Sequence, residues 1–128
     1  MRILIDTHIL IWMLEGNPKL SSQRRGIISD PGNEVFVSVV SYWEIAIKTS
    51  SGKLSISKPS IDILEEVAES SSNLILVEPS HTLAVSTLPF HHRDPFDRML
   101  IAQSIVEAIP LVSADTSFVA YTGLTQIW

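Results

Sequence analysis

Short, wholly apolar runs alternate along this chain with longer stretches of helical period, and that alternation constrains the fold more than any other feature. Ile3-Leu4-Ile5, Val35-Phe36-Val37, Leu74-Ile75-Leu76-Val77 and Leu111-Val112 lack the in/out pattern of a strand with one wet face. They predict strands covered on both faces, as in a parallel sheet. Leu124 to Ile127 is a fifth candidate. Helical patterns lie between them, at Ile9 to Leu14, at Leu20 to Ile28, and on a stripe of Val39, Val40, Trp43, Ala46 and Ile47. Pro59-Ser60 opens a fourth, through Ala68. Asp94-Pro95 reads as an N-cap followed by proline at the first helical position, starting a helix that Pro110 stops. Strand–helix–strand repetition of this kind predicts an α/β domain with a central, mostly parallel sheet of about five strands and right-handed crossovers. No repeat, low-complexity tract or linker divides the chain, so residues 1–128 read as one domain.

Composition removes several classes of function. With 45% hydrophobic residues the chain has a core to bury, which excludes intrinsic disorder. The absence of cysteine excludes a disulfide scaffold, an iron–sulfur cluster and a thiolate zinc site. Asp6 cuts the first apolar run, and Ile9 to Leu14 falls far short of the roughly 18 residues a membrane span needs. The expected location is the cytoplasm, without membrane attachment. A net charge of −5 argues against a non-specific nucleic-acid coat. It does not argue against a metal-dependent nuclease, because bound cations reverse the local sign. Gly52-Lys53 fails as a P-loop, with Leu54 in place of Ser or Thr, and no G-x-G-x-x-G occurs. His91 and His92 are adjacent and diverge on any regular element, so they read as a polar loop and not as a shared metal site.

In open α/β sheets the site lies outside the carboxyl ends of the strands. Asp6 follows the first strand directly, and Asp115 follows Leu111-Val112-Ser113-Ala114. Glu44 lies one to two turns into the helix after the second strand, and Asp97 opens the Pro95 helix on the side of Ile101. Each acid has an ordinary explanation. Asp6, Asp94 and Asp115 suit N-caps, Ser41-x-x-Glu44 suits a capping box, and Asp97 suits the helix dipole. Caps do not require four acids from four segments to converge on one rim, however. Converging carboxylates repel unless a cation lies between them, and an all-oxygen set selects Mg²⁺ or Mn²⁺.

Four stretches together resemble the PIN-domain family, and closely its ribonuclease toxins of the VapC type. They are Leu4-Ile5-Asp6-Thr7-His8, Ser38 to Lys48 (SVVSYWEIAIK), His92 to Gln103 (HRDPFDRMLIAQ) and Leu111 to Asp115 (LVSAD). The resemblance spans essentially the whole chain, and its four acidic positions fall on Asp6, Glu44, Asp97 and Asp115. It implies a three-layer α/β/α sandwich, Mg²⁺ or Mn²⁺ as cofactor, RNA as substrate, and a homodimer held by a small cognate antitoxin. Asp6 and Asp97 would hold the metal with Glu44 and Asp115 in support, activating water for in-line attack on the phosphate. Thr7 and Ser113 are expected to orient carboxylates by hydrogen bond. Arg98, Arg93, Lys48 and His92 border the acids and are the candidates to hold the RNA backbone. The competing readings are an RNA-processing PIN nuclease outside any toxin–antitoxin pair, and a catalytically silent PIN-like module that binds a partner. Retention of all four acids disfavours the second.

Overall fold

The computed structural model describes residues 1–128. The strands are β1 (Arg2–Ile5), β2 (Glu34–Ser38), β3 (Asn73–Ile75), β4 (Leu111–Val112) and β5 (Gln126–Ile127). The helices are α1 (Thr7–Glu15), α2 (Ser22–Ser29), α3 (Val39–Ser50), α4 (Ser60–Glu69), α5 (Pro79–Thr87) and α6 (Pro95–Glu107), with a 3₁₀ helix at Thr116–Ala120. All strand pairs are parallel, in the order β3-β2-β1-β4-β5.

The central strand explains its own composition. Ile3, Leu4 and Ile5 are almost wholly buried. Ile3 and Ile5 enter one core with Ile9, Leu10, Leu20, Ile28, Ile63 and Val67, from α1, α2 and α4 and their flanks. Leu4 enters another, with Ile101 of α6, Ile109, Leu111 and Phe118. Successive residues of a strand point to opposite faces, so a strand with no polar alternation serves two cores. The result is the α/β/α sandwich. From β1 the chain builds outward through β2 and β3, then returns to place β4 on the other flank of β1. The strand order therefore reverses between β1 and β4, and the crevice at their carboxyl ends is where such folds bind ligands.

Three elements depart from the sequence expectation. β3 ends at Ile75, and Leu74 and Leu76 are 53% and 54% exposed, because β3 is an edge strand paired only with β2. α5 was not expected, since Pro-Ser-His-Thr-Leu-Ala-Val-Ser-Thr carries no apolar stripe. Its start is held by Pro79 in the first turn and by His81, whose Nδ1 accepts the Glu78 backbone N–H at 2.9 Å. The buried face of α3 is Val40, Ser41, Glu44 and Ile45, whereas Trp43 of the expected apolar stripe is 57% exposed. That rotation buries a carboxylate where a hydrophobic side chain was expected.

Candidate active site

Each acid is aimed by a local capping device at the carboxyl edge of the sheet. β1 is followed directly by Asp6, which caps α1 by accepting the Ile9 N–H on Oδ1 at 2.8 Å, and only 4% of the residue is exposed. β2 ends at Ser38, whose hydroxyl accepts the Val40 N–H at 3.1 Å and donates to Gln103 Oε1 at 2.6 Å. With Ser38 as N-cap, the Ser41-x-x-Glu44 capping box does not form, and Glu44 faces inward from the second turn. Asp94 caps α6 as expected, its Oδ1 accepting the N–H groups of Phe96 and Asp97 at 2.8 and 3.1 Å. Asp115 caps the 3₁₀ helix through Oδ1, which accepts from the Ser117 N–H at 2.9 Å and the Ser117 hydroxyl at 2.6 Å. Its Oδ2 stays free of the cap and faces His92 Nε2 at 3.2 Å. Capping and convergence are thus compatible.

The electrostatics record the crowding. Burial, then the neighbouring charges of Asp94, Glu44, Asp6 and Asp115, push the Asp97 carboxyl up to about 8. Burial also raises Asp6, against a hydrogen bond from Ser113 and the Ile9 N–H, with Glu44 adding to the rise. For Asp115 burial is outweighed by the two Ser117 hydrogen bonds and by His92, so its carboxyl lies below the usual range. Burial would lower Lys48, but its ion pair with Glu44 and the charges of Asp94 and Asp97 hold it above the ordinary lysine value.

Glu44 tests whether a cation fits. One oxygen, Oε2, is paired with Lys48. The other, Oε1, is buried without any hydrogen-bond partner, on a residue 2% exposed. An unpaired buried carboxylate oxygen costs several kcal/mol unless a positive charge meets it. The donors gathered there are hard carboxylate oxygens, and the set fits a hard divalent cation.

The PIN domain family model matches residues 3–124. The chain belongs to the PIN-domain family. This PIN domain is 23% identical to Ribonuclease VapC22 of Mycobacterium tuberculosis over 113 residues, 88% of this chain and 86% of that protein. It is similar in fold to the structure of VapBC2 from Rickettsia felis bound to a promoter DNA fragment, with a TM-score of 0.74 at 16% identity over 99% of this chain and 98% of that one. VapBC-1 from nontypeable Haemophilus influenzae gives a TM-score of 0.69 at 18% identity, over 99% and 97%.

Within the PIN domain, Asp6, Glu44, Asp97 and Asp115 come together, and Ser113, fully buried, bonds the Asp6 carboxyl. Lys48 reaches the same cluster through Glu44 and lies 3.7 Å from Asp94 Oδ2. Arg93 is exposed on the loop before α6. Two expectations need correction. Thr7 does not orient a carboxylate directly, because its hydroxyl donates to Ser41 Oγ at 3.0 Å. Arg98 does not face RNA. It is 5% exposed, and its guanidinium donates to the carbonyls of Val85, Leu88, Pro89 and His92 at 2.8 to 3.4 Å. Those carbonyls at the end of α5 and beyond supply the negative potential that the buried cation requires. Sequence reasoning missed Ser38 and Gln103, which lock the end of β2 to α6, and Gln126, whose amide donates to the carbonyls of Ser113 and Asp115 at 2.8 Å. For Ser38 and Gln126 the available signal was a polar side chain at the end of a strand, whereas Gln103 lies within α6 and left none.

Proposed function

We propose that this PIN domain is a Mg²⁺- or Mn²⁺-dependent endoribonuclease and the toxin of a type II toxin–antitoxin pair. The observation that carries the reading is the four-carboxylate rim, with Glu44 Oε1 buried and unpartnered and Asp97 held up to about 8. A rim that repels itself is suited to cations and to little else. Asp6, Glu44, Asp97 and Asp115 would hold the metal, which when bound supplies charge neutralisation at the phosphate and a water of lowered pKa. Ser113 orients the Asp6 carboxyl and the Ser117 pair orients Asp115. Lys48 pairs with Glu44 Oε2, while Arg93, exposed beside the rim, takes a backbone phosphate. No protein nucleophile takes part: water attacks the phosphorus in line, the P–O3′ bond breaks and the 3′-oxygen leaves with a proton, so the products carry a 5′-phosphate and a 3′-hydroxyl.

RNA as substrate is supported by the relative named as a ribonuclease. A cognate antitoxin is supported by the VapBC assemblies among the similar structures. An apolar groove between α3 and α4, lined by Tyr42, Ile45, Ala46, Ile61, Ile63 and Leu64, is surface suited to a partner protein. A homodimer working in the cytoplasm completes the proposal. No helix is long and apolar enough to cross a membrane.

The test is cleavage of end-labelled RNA by the purified chain across a Mg²⁺ and Mn²⁺ titration, with Asp6→Asn and Asp97→Asn alongside and the product ends mapped. Metal-dependent cleavage lost in both variants is the expected result. Folded protein that cuts no RNA in either metal, or cuts equally well in EDTA, refutes it.

A further inference from the structure

Two of the three tryptophans lie together beside the carboxyl edge of the sheet and take no part in the acidic rim. α1 leaves that edge directly after Asp6, and its first turn presents an exposed His8. Trp12 stands one turn further along the same face of the helix. Its ring is tilted 59° to that of His8, with centroids 6.3 Å apart. Trp128 follows β5, and because β5 runs parallel to β4 it leaves the sheet at the edge that carries Asp6 and Asp115. Its ring meets Trp12 at 6.1 Å and 54°. The guanidinium carbon of Arg24, on α2, lies 3.9 Å from the Trp128 ring centroid, and Lys19 Nζ lies 5.8 Å from that of Trp12. Three rings and two cations thus form an unbroken series that starts next to the acids.

Core cover explains part of it. Trp12 is half-buried and packs on the larger core. Trp128 is 42% exposed, however, with a guanidinium against its ring. Neither Lys19 nor Arg24 has a carboxylate within ion-pairing distance, in a chain with 14 acids to 9 Lys and Arg. An uncompensated guanidinium beside exposed rings offers charge to a phosphate and a plane to a base. Arg93, also without a carboxylate partner, precedes α6, which packs into the core on the opposite face of the sheet from α1. The acids therefore lie between a lone cation on one side and the rings with their cations on the other. An apolar segment of a partner protein would leave both charges unmet, whereas a nucleic-acid strand with open bases matches rings and cations alike.

We propose that His8, Trp12, Trp128, Arg24 and Lys19 form a track for an unpaired stretch of RNA. The strand crosses the rim from Arg93 and continues over α1 and α2, its bases on the rings and its phosphates toward Arg24 and Lys19. Bases paired and stacked within a duplex have no face to give, so the track makes single-stranded RNA the substrate next to the cut. The inference rests on the reading above that RNA is cut at the acidic rim.

The test is binding of a fluorescein-labelled, unstructured RNA of about 12 nucleotides to the Asp97→Asn protein, which leaves the strand uncut, followed by anisotropy. The same strand annealed to its complement is the second probe, and cleavage is measured in parallel on chains that keep Asp97. Trp128→Leu retains apolar bulk and removes the ring. It should weaken single-strand binding about 10-fold and raise KM by a like factor with kcat unchanged. Trp128→Phe should restore most of the affinity. Arg24→Gln should lower the slope of log affinity against log salt by about 0.7, and Trp128→Leu should leave that slope alone. Bound RNA should quench tryptophan fluorescence, with the quenching kept in Trp43→Phe and reduced in Trp128→Leu. The duplex should bind more weakly than the single strand and be indifferent to Trp128→Leu. Single-strand affinity equal to the parent's in both Trp128→Leu and Arg24→Gln overturns the track and leaves the nuclease standing, provided the native protein cuts RNA. A change in sedimentation of Trp128→Leu with RNA affinity unchanged also overturns it, and gives the face to a second copy of the chain. Native protein that cuts no RNA, with no binding by Asp97→Asn, overturns the nuclease and the track with it.

Discussion

Asp97→Asn in metal-free protein isolates the energetic cost of the acidic rim. Burial and the neighbouring acids push the Asp97 carboxyl up to about 8 in the folded chain, from an ordinary aspartate value of 3.8. The folded state therefore holds this proton more tightly than the unfolded state. The stability it contributes is complete below about pH 4 and is lost as pH rises toward 8. At about 1.4 kcal/mol for each pH unit between those two values, the ceiling is roughly 6 kcal/mol. Because the neighbouring acids share the repulsion, a loss of about 2–4 kcal/mol is the working expectation. Asparagine has the shape of the protonated acid and no charge to lose. Against the gain stands the dipole contribution of an acid in the first turn of α6, about 0.3–1 kcal/mol. Repulsion exceeds it. In EDTA, urea unfolding near pH 4.5 should find the variant equal to the parent or weaker by less than about 1 kcal/mol. Near pH 8 it should be the more stable by about 2 kcal/mol or more, a sizeable part of a stability of about 5–15 kcal/mol. Parallel pH profiles, or a variant less stable at pH 8, would mean that Asp97 is only a dipole residue and that the rim is not crowded.

Other expectations follow from single contacts. Arg98→Met strands four backbone carbonyls and should cost about 3 kcal/mol in urea unfolding, a loss a surface phosphate contact would not produce. Arg93→Ala should leave the melting temperature unchanged and weaken RNA binding, with the slope of log affinity against log salt reduced by about 1. Ser38→Ala removes both a helix cap and the bond to Gln103, and thermal melts should show about 1–3 kcal/mol of destabilisation.

The sheet was legible because the apolar stretches Ile3–Ile5, Val35–Val37 and Leu111–Val112 within β1, β2 and β4 serve both faces of the sheet, so these runs stand out against everything around them. The edge strand β3 imitated them in composition, since hydrophobic residues are also tolerated where a surface awaits no strand partner; Leu74 and Leu76 are half exposed. α5 left no periodic trace, because its position depends on the Glu78–His81 start and on packing against α6, neither of which is a pattern in the letters. The four acids could be chosen as a set because strand ends and helix starts share one rim in a parallel sheet. Which cations near them would face solvent could not be read. Arg93 and Arg98 are five residues apart in one motif, and only the path of the 88–94 loop decides that one is exposed and the other is enclosed by carbonyls. Ser41 was read as a cap because hydroxyls are interchangeable on paper; Ser38, one turn earlier, takes the role through Val40 and Gln103.

The central strand β1 takes its partner on one side, β4, from far along the chain. Leu4 pairs with Leu111, and the loop bearing Asp115 is tied by Gln126 of β5 through two carbonyls. During synthesis, β1 must therefore wait beside an empty flank until β4 has been translated. Pairing at such distance along the sequence is also slow. Until Gln126 has left the ribosome, Asp6 and Glu44 have no properly seated Asp115 opposite them. The acidic rim is thus incomplete until β5 has been made, and the order of translation acts as a delay on the site.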